Sequence, residues 1–171
     1  RKMQGKTLMS VIRELAKSMS ENISIYELLE SDDKYVEAVN RLLGQLSSTP
    51  RRFSMASLEA IVNSENSHLL LAEVDGKVAG MLTLSHYLAP TGLKMWIEDV
   101  VVDEAMRGRS LGRRLVERAV EYARTLGPGT LMLTSRPSRE AANALYRSCG
   151  FSFKETNNYT MKITMEKAGQ D

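Results

Sequence analysis

The chain has 171 residues, 43% hydrophobic and 26% charged, which suits one compact domain with a sizeable core. A formal net charge of +2 offers no bulk field for nucleic acid; one cysteine, Cys149, allows no intrachain disulfide, and with only His68 and His86 beside it no metal site is expected. No apolar run reaches the roughly 18 residues of a membrane span and no secretory segment is present, so a soluble, cytoplasmic protein that uses neither membrane nor nucleic acid is expected.

In chain order, Leu8, Val11, Ile12, Leu15, Ala16 and Met19 recur with helical spacing. Residues 1–22 therefore read as an amphipathic helical extension, and residues 23–171 as a single domain. "ISIYEL", Ile23 to Leu28, reads as a strand. Ser31, Asp32 and Asp33 supply cap residues for a helix to about Leu46. A basic loop containing Arg51 and Arg52 follows, then a short helix from Met55 to Val62. The runs His68 to Val74 and Val78 to Tyr87 flank Asp75-Gly76-Lys77, a strong hairpin signal because Gly accepts a positive φ without steric cost. After a second connection, Leu88 to Lys94, a strand is expected over Met95–Val102. The rest reads as a helix over Ser110–Leu126, a strand over Thr130–Ser135, a helix from Pro137 to Gly150, and a last hairpin, "FSFKET" and "YTMKIT", turning at Asn157-Asn158. This order implies a mixed α/β (α+β) fold around a mixed sheet.

The most informative stretch is "WIEDVVVDEAMRGRSLGRRLVERA", Trp96 to Ala119. Two acids, Glu98 and Asp99, interrupt a strand that is otherwise apolar. Strict alternation puts Trp96, Glu98, Val100 and Val102 on one face and Ile97, Asp99 and Val101 on the other. Beyond the strand, Arg107, Gly108, Arg109, Ser110, Leu111, Gly112 and Arg113 surround the start of an amphipathic helix. The first N–H groups of a helix lack internal partners, and its dipole adds partial positive charge there. Glycines let a ligand approach the backbone. The corner thus reads as an anion cradle suited to a phosphate or pyrophosphate. It is not a Walker A loop, which needs Lys-Ser/Thr after its second glycine, nor a G-x-G-x-x-G fingerprint.

"RGRSLG", Arg107 to Gly112, preceded by "IEDVVVD" and followed by that helix, resembles the acetyl-coenzyme A loop of the GNAT superfamily of N-acetyltransferases. Ser110 stands where the pattern has its central glycine. "SREAANALYRSCGF", Ser138 to Phe151, resembles the superfamily's penultimate helix. The resemblance implies a mostly antiparallel sheet splayed between its fourth and fifth strands, with helices on both faces. It implies acetyl-CoA as cosubstrate, the backbone of Val100, Val101 and Val102 along the pantetheine arm, and the pyrophosphate on the amides of Arg107 to Gly112. It implies direct transfer to a primary amine in a ternary complex, and a homodimer. A CoA-binding module without turnover, or transfer of another acyl group, is the alternative.

Attack on a thioester needs a neutral amine, and a lysine-like amine with pKa ~10.4 is almost wholly protonated at pH 7. A general base meets that need. Glu98, in mid-strand, is the expected base. Tyr146 is the expected acid, and the resemblance brings it near the thioester sulfur and Asn143 onto the coenzyme arm. Arg139, Asn143 and Tyr146 share one helix face. Cys149 reads as structural, and His68 and His86, at opposite ends of the hairpin, show no partner pattern.

Overall fold

The structure, a computed structural model, describes residues 8–10, 12, 21–47, 49 and 52–163. From Ile23 onward the described residues form β1 (Ile23–Glu27), α1 (Asp33–Leu46), α2 (Met55–Val62), β2 (Ser67–Val74), β3 (Lys77–Ala89), β4 (Gly92–Val102), α3 (Leu111–Leu126), β5 (Gly129–Leu133) and α4 (Glu140–Ser148), with a 3-10 turn at Glu104–Met106. Of the N-terminal extension, Leu8–Ser10 and Ile12 are helical; the remainder of that expected helix lies outside the described residues.

Local chemistry sets the boundaries. Asp32 caps α1, its Oδ1 accepting from the Lys34 amide at 2.9 Å. Ser54 caps α2 through the Ser57 amide. Asp75 and Gly76 both take positive φ, 50° and 79°, as the tight turn between β2 and β3 requires. The second connection is shorter than expected. β3 and β4 pair out to Ala89 and Gly92, so the expected loop Leu88 to Lys94 is mostly strand around a tight turn.

The sheet runs β1-β2-β3-β4-β5. The first four strands are antiparallel, and β5 joins β4 in parallel. Pairing of β4 with β5 stops at Ile97 and Leu133, while β4 continues to Val102. The two strands therefore part, as the sequence led us to expect. One face packs Leu70, Leu82, Leu84 and Ile97 against Leu115, Val116 and Ala119 of α3. The other packs Leu69, Leu71 and Met81 against Val39 and Leu42 of α1 and Leu58 of α2. Burying both faces excludes water from the sheet and leaves the splay as the opening into it.

Three expectations are corrected. Strict alternation along β4 fails, because the register with β3 shifts between Met81 and Thr83 and Asp99 sits at φ 52°. This is a β-bulge, one extra residue that reverses the phase of everything after it. Ile97 faces α3, yet so do Val100 and Val102, while Val101 joins the α1 and α2 side. Val100 and Val102 thus do not share the face of Glu98. Second, the described residues from Phe151 to Ile163 contain no strand. Phe153, Tyr159, Met161 and Ile163 are exposed, and β-formers without a paired edge and a buried face do not hold a hairpin. Third, the histidines do have partners. Antiparallel pairing brings the start of β2 beside the end of β3, so Nε2 of His86 lies 3.2 Å from Nε2 of His68. Nδ1 of His68 is 2.7 Å from Glu27 and 3.1 Å from the Tyr122 hydroxyl.

Candidate active site

Where β4 and β5 part, a cleft of about 2360 Å³ opens between the strands, the start of α3 and one side of α4. That exceeds the ~300–1,000 Å³ usual for one small ligand. Glu98, Val100, Val101, Val102, Arg107, Gly108, Ser110, Leu111, Gly112, Arg113, Asn143 and Tyr146 all line it. Arg109 does not. Its Nε donates to both carboxylate oxygens of Glu21, at 2.9 and 3.1 Å, so its side chain is committed elsewhere.

At one end of the cleft stands the start of α3. The first intrahelical bond runs from the Arg114 amide to the Ser110 carbonyl, at 3.0 Å. The amides of Leu111, Gly112 and Arg113 therefore have no partner within the helix. Gly108 at φ 82° and Ser110 at φ 57° fold the chain back on itself just before them. Ser110 occupies the N-cap position but makes no side-chain cap bond; its role is conformational, in a region where glycine sits without strain. Gly112 is needed for packing. A Cβ there would stand 3.3 Å from Leu145 Cδ2 and 3.7 Å from Val102 Cγ2, so the absent side chain lets α3 approach β4 and α4.

Mid-cleft, Glu98 precedes the bulge and lies on the side of β4 shared with Trp96 and Ser85. Those three residues, with Thr134 and Asn158, line a smaller recess of about 300 Å³. Desolvation first, and the neighbouring charge of Asp99 second, push the Glu98 carboxyl above its ordinary pKa. Tyr146 approaches from α4. Its ring is 5% exposed and packs edge-on to Phe151 with centroids 6.3 Å apart. Burial raises its pKa, against a smaller opposing pull from Arg139. No described residue accepts or donates a hydrogen bond at the Tyr146 hydroxyl. Asn143 donates from Nδ2 to the Arg136 carbonyl at 2.9 Å, which ties down the turn into α4. The sequence reading missed two contributors. Ser135, just past β5, has a buried hydroxyl without a partner, and Arg136 adds a cation to the lining. A short Ser-Arg pair past a strand end carries no pattern that would have marked either.

These donors suit an anionic, elongated cosubstrate: free amides and arginines at one end, and unpaired strand backbone along the splay. The comparisons with known proteins agree. The family model for the acetyltransferase (GNAT) family matches residues 24–151, and the chain belongs to that family. It is an acyltransferase that carries out acetyl transfer, and the family's donor is acetyl-CoA. Glucosamine 6-phosphate N-acetyltransferase 1 of Oryza sativa is 34% identical over 119 residues, covering 64% of this chain and 70% of the relative. Among solved structures, a putative acetyltransferase of Agrobacterium tumefaciens aligns with TM-score 0.71 at 25% identity, covering 81% of this chain and 99% of the other. The glucosamine-6-phosphate N-acetyltransferase of Arabidopsis thaliana aligns with TM-score 0.69 at 25% identity, covering 82% and 98%.

Proposed function

We propose that the protein moves an acetyl group from acetyl-CoA to a primary amine by direct attack, both substrates being held in the cleft at once. One observation carries this reading. A carboxyl with a raised pKa, Glu98, and a buried tyrosine with an unengaged hydroxyl, Tyr146, open into the same cleft as the free amides of α3. Acetyl-CoA supplies an acyl group activated as a thioester. The chain's residues do the rest. The amides of Leu111 to Arg113, with Arg107 and Arg113, hold phosphate oxygens; the backbone of Val100 to Val102 and the Asn143 carbonyl oxygen face the pantetheine arm. Glu98 takes a proton from the acceptor's ammonium, directly or through water, freeing the lone pair that attacks the thioester, and its raised pKa brings it nearer to that task. Tyr146 donates a proton to the departing sulfur.

The acceptor recess, lined by Ser85, Trp96, Glu98 and Thr134, suits a hydroxylated amine. Glucosamine 6-phosphate, for which the rice and Arabidopsis relatives are named, is the first acceptor to try. An acceptor screen of amino sugars, polyamines and peptide N-termini, followed by thiol release, tests the whole reading. Acetyl-CoA binding without turnover on any amine would leave the alternative, a binding module. We further propose a homodimer, supported by the exposed apolar side chains of Phe153, Tyr159, Met161 and Ile163; a monomeric mass by light scattering would refute it.

A further inference from the structure

Arg109 lies in the middle of the phosphate-facing loop but points out of the cleft. Its guanidinium ties the loop to two other pieces of chain, the segment at Glu21 and the 3-10 turn Glu104–Met106. Nε donates to both oxygens of Glu21, Nη1 reaches the Ala105 carbonyl at 3.4 Å, and Nη1 lies 3.0 Å from Met106 Sδ. The pair is mostly shielded, the Glu21 side chain being 10% exposed and that of Arg109 23%. Glu21 is itself held from behind. The next residue, Asn22, donates its amide to Asp75 Oδ1 at 3.0 Å and accepts from the Asp75 amide at 2.9 Å. A strap therefore runs from the β2–β3 turn through Asn22 and Glu21 to Arg109 and the 3-10 turn before the loop. Glu21 lies outside the span matched by the family model, residues 24–151.

The loop needs such a restraint. Ser110, the residue after Arg109, is a non-glycine at φ 57°, a conformation that persists only where the surroundings impose it. If it relaxes, the amides of Leu111 to Arg113 no longer converge on one point. We propose that Glu21 is a positioning residue for the cosubstrate: by fixing Arg109 it holds the phosphate-facing amides in place, so the segment before the family domain is part of the donor site. This rests on the acetyl-CoA reading above.

The test is a double-mutant cycle on the full chain, read by calorimetry with acetyl-CoA. Glu21→Gln and Arg109→Gln should each weaken binding about fivefold, and the double variant should be no weaker than either. The KM for acetyl-CoA should rise in step, with kcat and the amine KM unchanged, a split that general loosening of the fold would not produce. If Glu21→Gln does not fold, Arg109→Lys keeps the charge, loses the Nε donor, and should show the same weakening. Additive losses would mean that Arg109 binds phosphate directly, and overturn the proposal. Tighter binding by Glu21→Gln would mean that Glu21 competes with phosphate for Arg109, and overturns it equally. Unchanged binding sinks this proposal alone, whereas no acetyl-CoA binding by the unaltered chain sinks the acetyl-transfer reading with it.

Discussion

One end of the cleft and its middle are built from different materials. The end at the start of α3, where we propose that acetyl-CoA binds, is mostly backbone: free amides, a glycine and a serine at positive φ, and a glycine at Gly112 that lets α3 close on Leu145 and Val102. The middle depends on particular side chains, Glu98 on its bulge and Tyr146 in its apolar seat. A site made of backbone tolerates side-chain change as long as the chain keeps its path. A site made of side chains fails when one functional group is lost, even if nothing moves. Changes in the two regions should therefore separate chemistry from binding.

The largest separation should come from Glu98→Gln. The rate at neutral pH should fall about 10²-fold or more, within the range for loss of a general base, with the dissociation constant for acetyl-CoA unchanged. In the unaltered protein, activity should fall as pH drops through the raised Glu98 pKa, because only the carboxylate accepts a proton. The variant's deficit should shrink at high pH, where the amine is already neutral; a deficit independent of pH would remove Glu98 as base. Stability should move the other way. A carboxyl whose folded pKa lies above its unfolded value loses stability as pH rises through the folded pKa. Glu98→Gln should then leave the melting temperature equal or higher at neutral pH.

Next, Tyr146→Phe should lower kcat by about tenfold or more while acetyl-CoA binds as before. The ring remains, so the packing with Phe151 is kept and thermal denaturation should be little changed. A loss confined to KM would place the hydroxyl in binding rather than in proton transfer.

At the backbone end the pattern should invert. Gly112→Asp should weaken acetyl-CoA binding by more than about tenfold, with kcat under saturation much less affected. The new side chain crowds Leu145, whose Cδ2 would lie 3.3 Å from its Cβ, and like-charge repulsion of phosphate adds to the damage. Titration calorimetry that returned equal affinities would show that this helix start is not the phosphate end. The smallest effect belongs to Ser110→Gly. Relief of a left-handed residue is worth about 1–2 kcal/mol, offset by about 0.5–1 kcal/mol of added chain entropy. Denaturant unfolding should show a gain of well under ~2 kcal/mol, with acetyl-CoA affinity equal or better.

The sequence by itself determined the order of elements from β1 to α4, the Asp75-Gly76 turn, the cap at Asp32 and the basic, glycine-containing start of α3. Each depends on interactions a few residues apart, and residue type carries that information directly. It also supported the splay, through a resemblance borne by two motifs rather than through pairing rules. Three features were decided only in the tertiary structure. The bulge at Asp99 depends on register with β3, although an Asp, which tolerates left-handed backbone, in mid-strand was a faint sign of it. The meeting of His68 with His86, Glu27 and Tyr122 follows from which strands lie side by side. The capture of Arg109 by Glu21, 88 positions away, is the plainest case. A cation in a loop reads as a ligand for an anion, and which anion it meets is settled only when distant chain is folded against it.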